Sequence, residues 1–332
     1  MRLPFRLVYS SDYFLPIGAH VFPAQKYRMI HDRLLATGAA DEDDFLSPKP
    51  ASDDDIRLVH EAGYVDRLLR GKLSSYEEMQ MELPYSPALV KAFWLAAGGS
   101  ILAAQKALDD GACVNIGGGF HHAHPDHGEG FCMIHDVAIA IRKMQKLARI
   151  RRAMTVDCDV HHGNGTAAIF PPKRAGGRPL PSVSAPQAVS QCVTDTSVEL
   201  ENTVFTISLH QANNYPAYKP PSSIDVNLPD CVDDDKYLGW LDQSLSSGLR
   251  SFSPDLLCYI AGADPYRHDQ LGGLSLTIDG LKQRDRLVFE VAKSRGIPIM
   301  VTYAGGYAHD VQDTVSIHVN TILAAQEVWR NQ

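Results

Sequence analysis

Thr155-Val-Asp-Cys-Asp-Val-His-His-Gly-Asn-Gly165 is the segment that decides the fold of this 332-residue chain. Its apolar lead-in, residues 153–157, reads as a buried strand, and in an extended segment side chains switch faces at every residue. Asp157, Asp159 and His161 therefore project to one side. Two carboxylates and an imidazole form a donor set suited to zinc or a similar divalent ion. A second cluster, Gly117-Gly-Gly-Phe-His121-His122-Ala-His124, places paired histidines after a glycine-rich turn. Together they predict a metal-dependent hydrolase with a separate acid/base pair.

Working outward, short apolar runs alternate with long amphipathic ones. Strands are expected at 6–9, 113–116, 153–157, 204–209, 256–261 and 297–303. Helical spacing occupies 87–108, 136–148, 235–249, 279–294 and 311–329, with Thr277 capping the fourth of these and Gly296 ending it. This rhythm predicts an α/β fold of three layers, α/β/α, with a mostly parallel sheet and helices on both faces. One domain over 1–332 is expected, interrupted by a surface insertion at about 171–202, where Pro, Gly and Ser replace any clear period.

The polar residues fall at the ends of these strands. The second strand runs into His121 and His122, the third into Asp159 and His161, and the fourth into Ser208 and Leu209. The fifth runs into Asp264 and the last into Tyr307. Ligands of open α/β sheets bind beyond the carboxyl ends of the strands, so five strand ends are expected to supply one constellation.

Composition narrows the class of function. With 31 basic and 39 acidic residues the chain carries a net charge of −8 and shows no basic stripe, which speaks against a direct nucleic-acid partner. The six cysteines (113, 132, 158, 192, 231 and 258) are scattered singly, mostly within apolar runs. That pattern predicts free thiols in a reducing compartment. No signal-peptide core and no uncharged run long enough to span a bilayer is visible, so a cytoplasmic protein without a membrane partner is expected.

The motifs Gly118-Gly-Phe-His-His-Ala123, Gly128-Glu-Gly-Phe-Cys132, Val156-Asp-Cys-Asp-Val-His-His-Gly-Asn-Gly165, Ser208-Leu-His210, Gly262-Ala-Asp264, Leu271-Gly-Gly273 and Gly305-Gly-Tyr307 cover nearly the whole chain outside the insertion. In this order they resemble the zinc-dependent superfamily of histone deacetylases, acetylpolyamine amidohydrolases and acetoin-utilisation proteins. Asn164 and the short Ala-Gly-Gly-Tyr motif are most similar to its class IV-like bacterial branch. The resemblance implies an arginase/deacetylase-like fold and removal of an acyl group, most simply acetyl, from a lysine side chain or small amine. It also implies one zinc ion per chain, with iron as the alternative metal, held by Asp159, His161 and Asp264.

The remaining roles also follow from the resemblance. His122 would act as general base, and His121, bonded to Asp157, would hold positive charge. Tyr307 would donate its phenol to the scissile carbonyl. Asp157, Asp159, His161, Ser208 and Leu209 would surround a potassium ion. Gly130 and Phe131 match positions that grip the acyl-lysine stem, with Phe120, Tyr215 and Leu271 as further wall candidates. Asn164 stands where many relatives have a carboxylate. An amide oxygen still accepts the imidazole N–H but adds no charge, which implies a less basic His122. His20, Lys26, His124 and His127 receive no role.

Other readings remain open at this stage: a long-chain deacylase, an acetylpolyamine amidohydrolase, a ureohydrolase, or a non-catalytic acyl-lysine-binding module. A two-metal ureohydrolase needs a carboxylate two residues before Asp264, where this chain has Gly262.

Overall fold

The structure is a computed structural model that describes residues 2–172 and 203–330. The expected insertion at 171–202 lies outside the described residues, apart from Pro171 and Pro172.

Eight strands form one sheet: β1 (Arg6–Val8), β2 (Phe45–Leu46), β3 (Ala112–Asn115), β4 (Ala153–Asp157), β5 (Val204–Gln211), β6 (Ile224–Leu228), β7 (Leu256–Ile260) and β8 (Ile299–Thr302). Their order is β2-β1-β3-β8-β7-β4-β5-β6, and every neighbouring pair is parallel. Every residue of β3, β4, β5, β7 and β8 is buried, as expected for parallel strands covered on both faces.

The helices are α1 (Lys26–Ala36), α2 (Asp53–Ile56), α3 (Ala62–Arg70), α4 (Ser75–Met81), α5 (Pro87–Asp110), α6 (Asp136–Lys146), α7 (Asn164–Ile169), α8 (Asp234–Ser251), α9 (Ile278–Ser294) and α10 (Val311–Arg330). Two packed groups cover the sheet. One joins α5 to α6, α2 and α3; the other runs from α1 through α10 and α9 to α8. The architecture is therefore the expected three-layer α/β/α sandwich, and its sheet is parallel throughout.

Local chemistry accounts for the element ends. Thr277 caps α9 by accepting the Gly280 N–H at 2.9 Å. At the other end Gly296 adopts φ +63°, so the Gly296 and Ile297 N–H groups reach back to Lys293 O and Ala292 O. That paired arrangement satisfies the last carbonyls and requires a left-handed residue. The 24-residue α5 is apolar enough to cross a membrane, but 78% of its apolar window is buried inside the protein. It is a core helix, packed on α6, β1, β3 and β8.

Sequence periodicity missed β2, β6 and the helices between residues 26 and 81. β2 spans two residues and β6 is an edge strand, with only Val226 and Leu228 buried. Neither buries enough side chains to print a pattern.

Candidate active site

Strands β3, β8, β7, β4 and β5 are consecutive in the sheet. Their carboxyl ends bring together His121 and His122, Tyr307, Asp264, the Asp157–His161 segment and Ser208 with Leu209. The five separate strand ends read from the sequence thus meet in space.

Asp159, His161 and Asp264 are all buried, and one ligand-type atom from each lies within 4.8 Å of the others. His161 Nδ1 is 3.0 Å from Asp159 Oδ1 and 3.3 Å from Asp264 Oδ2. The other carboxylate oxygens are committed: Gly305 N–H donates to Asp159 Oδ2 (2.7 Å) and Val160 N–H to Asp264 Oδ1 (2.8 Å). Asp264 Oδ2 is buried with no hydrogen-bond partner. Burial first, and then the charge of Asp159, raise Asp264 to about 7. Two converging buried carboxylates with an orphaned oxygen are a cradle for a divalent cation, and the donor set fits zinc. A Cβ at Gly305 would collide with the carboxylates of Asp264 and Asp159, so only glycine lets the backbone pass this close.

The two histidines lie side by side, 4.1 Å between ring centroids, yet differ electrostatically. His121 Nδ1 donates to Asp157 Oδ2 at 2.7 Å. Burial works against its charge, but Asp157 and Asp159 outweigh it and raise His121 to about 9. His122 is lowered well below its ordinary value by burial and then by the positive fields of His121 and His161. At neutral pH one ring is a cation and its neighbour a neutral base.

The tautomer of His122 is set from outside. Its Nδ1–H donates to Asn164 Oδ1 at 2.7 Å, which leaves Nε2 with a lone pair. The Asn164 amide nitrogen donates to Glu129 Oε1 at 2.9 Å, so a flipped amide would turn its oxygen onto a carboxylate. Glu129 also accepts from the Tyr215 hydroxyl (2.8 Å), and the Tyr215 ring stands perpendicular to His122 at 5.0 Å. A carboxylate thus stands one hydrogen bond beyond Asn164, yet His122 remains well below its ordinary value. The sequence contained the Gly128-Glu-Gly-Phe-Cys132 motif but gave no reason to link Glu129 to residue 164.

His122, His161 and Tyr307 line one cavity of about 180 Å³, together with Gly130, Phe131, Tyr215, Leu271, Asn214 and Glu82. Gly130 (φ +50°) passes so close that a Cβ would stand 2.8 Å from Tyr215 and 2.9 Å from His122. Phe120 is the correction. It follows the strand end but turns inward, its ring 4.5 Å from that of Phe93, and it does not line this cavity. Tyr307 is positioned by its backbone, whose N–H donates to Asp269 Oδ2 at 2.6 Å. Asp269 was not foreseen; Lys26, given no role from the sequence, is buried and its Nζ donates to Ala304 O at 2.6 Å.

Ser208 pairs in register with Asp157 across β4 and β5, and buried Leu209 follows it. The Ser208 hydroxyl is 3.0 Å from His210 Nδ1. Among the described residues all five cysteines are free, four of them buried, in agreement with the reading of unpaired thiols.

Comparison with known proteins agrees with this geometry. The model of the histone deacetylase domain matches residues 20–323. An uncharacterized protein of Picosynechococcus is 36% identical over 326 residues, covering 98% of this chain and 99% of the relative. Histone deacetylase 2 of Arabidopsis thaliana is 30% identical over 314 residues, covering 91% and 74%. In fold, the chain superimposes on a histone deacetylase homologue crystallised with SAHA, with a TM-score of 0.75 at 22% identity, covering 99% of this chain and 84% of that one. With a family domain matched over most of its length, and the parallel sheet of that family beneath it, this chain is a deacetylase enzyme of the histone deacetylase family.

Proposed function

We propose that the chain is a zinc-dependent hydrolase that removes a short acyl group, acetyl above all, from a lysine side chain or a comparable extended amine. The observation that carries this reading is the buried Asp159, His161, Asp264 cradle, open to a cavity that also exposes a neutral His122 and Tyr307. When bound there, zinc would supply Lewis-acid polarisation of the amide carbonyl and make a water molecule more acidic.

The chain's own residues do the rest. His122 takes the proton of the attacking water at Nε2 and delivers it to the departing amine. His121, kept cationic by Asp157, stabilises negative charge developing beside it. The Tyr307 phenol is raised well above its ordinary pKa by burial and then by Asp159 and Asp264, so it stays protonated and donates to the carbonyl oxygen. Phe131, Tyr215 and Leu271 form an apolar wall along which a methylene chain packs while water is excluded. About 180 Å³ is small for a ligand pocket, which favours acetyl over long acyl groups. A ureohydrolase fits poorly, because a Cβ at Gly262 would stand 2.7 Å from Asp159 Oδ2 and leave no room for a second bridging carboxylate.

A potassium ion would complete the reading, and the Asp157 and Ser208 side chains with the carbonyls of Asp157, Asp159, His161 and Leu209 would hold it. Its support is the pairing of Asp157 with Ser208 and the all-oxygen donor set.

An acyl-chain series on peptide and polyamine carriers tests the substrate class. Acetyl-lysine peptide is expected to be cleaved to free amine and acetate, with rates falling as the chain lengthens; SAHA, bound by the structural neighbour, is expected to inhibit. A zinc-loaded protein that turns over no acylated amine would remove the proposal.

Two variants probe the site walls. Gly130→Ala is expected to lower kcat/KM about tenfold or more, the cost of overpacking by roughly 1–3 kcal/mol against His122 and Tyr215. Kinetics alongside thermal unfolding separate this from misfolding, and an unchanged kcat/KM would mean the loop moves away freely.

Asn164→Asp is expected to move the acidic limb of the kcat/KM profile to higher pH. An added carboxylate stabilises the His122 cation and raises its pKa, so more alkali is needed to free the base. The new carboxylate would face Glu129, however, and their repulsion drives a proton onto one of them. The limb is therefore expected to move further in a Glu129→Gln background, and fitted values belong to the coupled set. A limb that stays put in both backgrounds would show that His122 is not the titrating base.

A further inference from the structure

We propose that His124, His127 and Glu129 form a second, exchangeable site for a divalent transition-metal ion of the zinc class, outside the cradle of Asp159, His161 and Asp264. The three lie within one short turn after the paired histidines. The His124 N–H donates to His127 O at 2.9 Å, which folds the turn and stacks the two imidazoles 4.5 Å apart at an interplanar angle of 10°. Both rings then present Nε2 to one oxygen: Glu129 Oε2 is 3.5 Å from His124 Nε2 and 3.4 Å from His127 Nε2.

Those separations have a specific meaning. Zinc bonds of about 2.0–2.1 Å in tetrahedral geometry place neighbouring ligand atoms about 3.3–3.4 Å apart. Two edges of such a tetrahedron are already built, and all three ligand atoms lie within 4.8 Å of one another. The donor chemistry agrees, since two imidazoles and a carboxylate select zinc or its borderline neighbours over magnesium or calcium. Asp126 accepts from His127 Nδ1 at 2.7 Å, the outer carboxylate that typically orients a metal-binding imidazole; Nε2 hydrogen-bonds Glu129 Oε2 at 3.4 Å, and an ion would displace the proton between them.

His124 Nε2 accepts an Asn164 N–H at 3.1 Å through its lone pair, which an ion would take over, and burial lowers the pKa of that ring. The side chains of His124, His127 and Glu129 are 19%, 23% and 16% exposed, which lets an ion enter and a water complete the shell. The same carboxylate holds Asn164 and Tyr215 through Oε1, so occupancy would be felt at His122.

Zinc uptake by the untagged full-length protein, measured by equilibrium dialysis and elemental analysis at micromolar free zinc, tests this site. The parent is expected to hold two equivalents, His127→Ala and His127→Gln one each, and both should unfold at the parental temperature. Asp264→Asn should also hold one, and its combination with His127→Ala none. A parent that saturates at one equivalent, or a His127 variant that keeps two, overturns the second site. Failure of the first reading would look different, with Asp264→Asn binding as much zinc as the parent.

Discussion

Asp264→Asn is expected to lose measurable turnover and to bind zinc at the Asp159 and His161 cradle more than 100-fold more weakly. Losing a mere outer-shell partner costs about 10–100-fold in metal affinity, and here a ligand itself is removed. Asparagine is the informative replacement. It keeps an oxygen to accept the Val160 N–H, now bonded at 2.8 Å, whereas alanine would strand that buried donor at about 1–3 kcal/mol. The amide also removes the like charge facing Asp159, so a folded, metal-poor protein should result. Parental activity in this variant would mean that the orphaned Asp264 oxygen serves no ion.

Tyr307→Phe is expected to keep its zinc and fold while kcat falls by about 10²–10³, the usual cost of one oxyanion donor. KM should change little, because the phenol acts where charge develops and not on the resting amide. The backbone that positions this residue is independent of its hydroxyl: Asp269 holds the N–H, and the Gln270 side chain donates to the carbonyl at 2.7 Å. The ring itself stays packed 6.0 Å from Phe131 and 6.2 Å from Phe22. Hydrolysis of an acetyl-lysine peptide at the parental rate would reduce Tyr307 to a wall.

The central sheet was legible because strands are written in short-range pattern; Asp159 and His161 were singled out by their spacing, but Asp264 was named a metal ligand only through the resemblance. Strands buried on both faces appear as apolar runs; Asp157 ends β4, and Asp159 and His161 lie in the bend after it, where their N–H groups donate to Asp157 Oδ1 and Asp159 Oδ1. What escaped depends on approach across long sequence separations. Glu129 meets Asn164 from 35 residues away and Tyr215 from 86, while Lys26 reaches Ala304 across 278. No periodicity encodes such meetings. Phe120 shows the opposite failure: it was a wall candidate only through the resemblance, and its ring packs against Phe93. The effect of Asn164 was half visible. That its amide oxygen accepts from His122 Nδ1 was legible, but the carboxylate of Glu129 behind it became apparent only in three dimensions.

The central claim is that one zinc ion, held by Asp159, His161 and Asp264, is required for hydrolysis. Its most direct test strips the protein of metal, verifies the removal by elemental analysis, and titrates zinc back while following cleavage of an acetyl-lysine peptide. Activity is expected to be absent at the start and to rise linearly to a break at one equivalent in the His127→Ala background, where the second site is removed. Full activity in the verified metal-free protein would contradict the account.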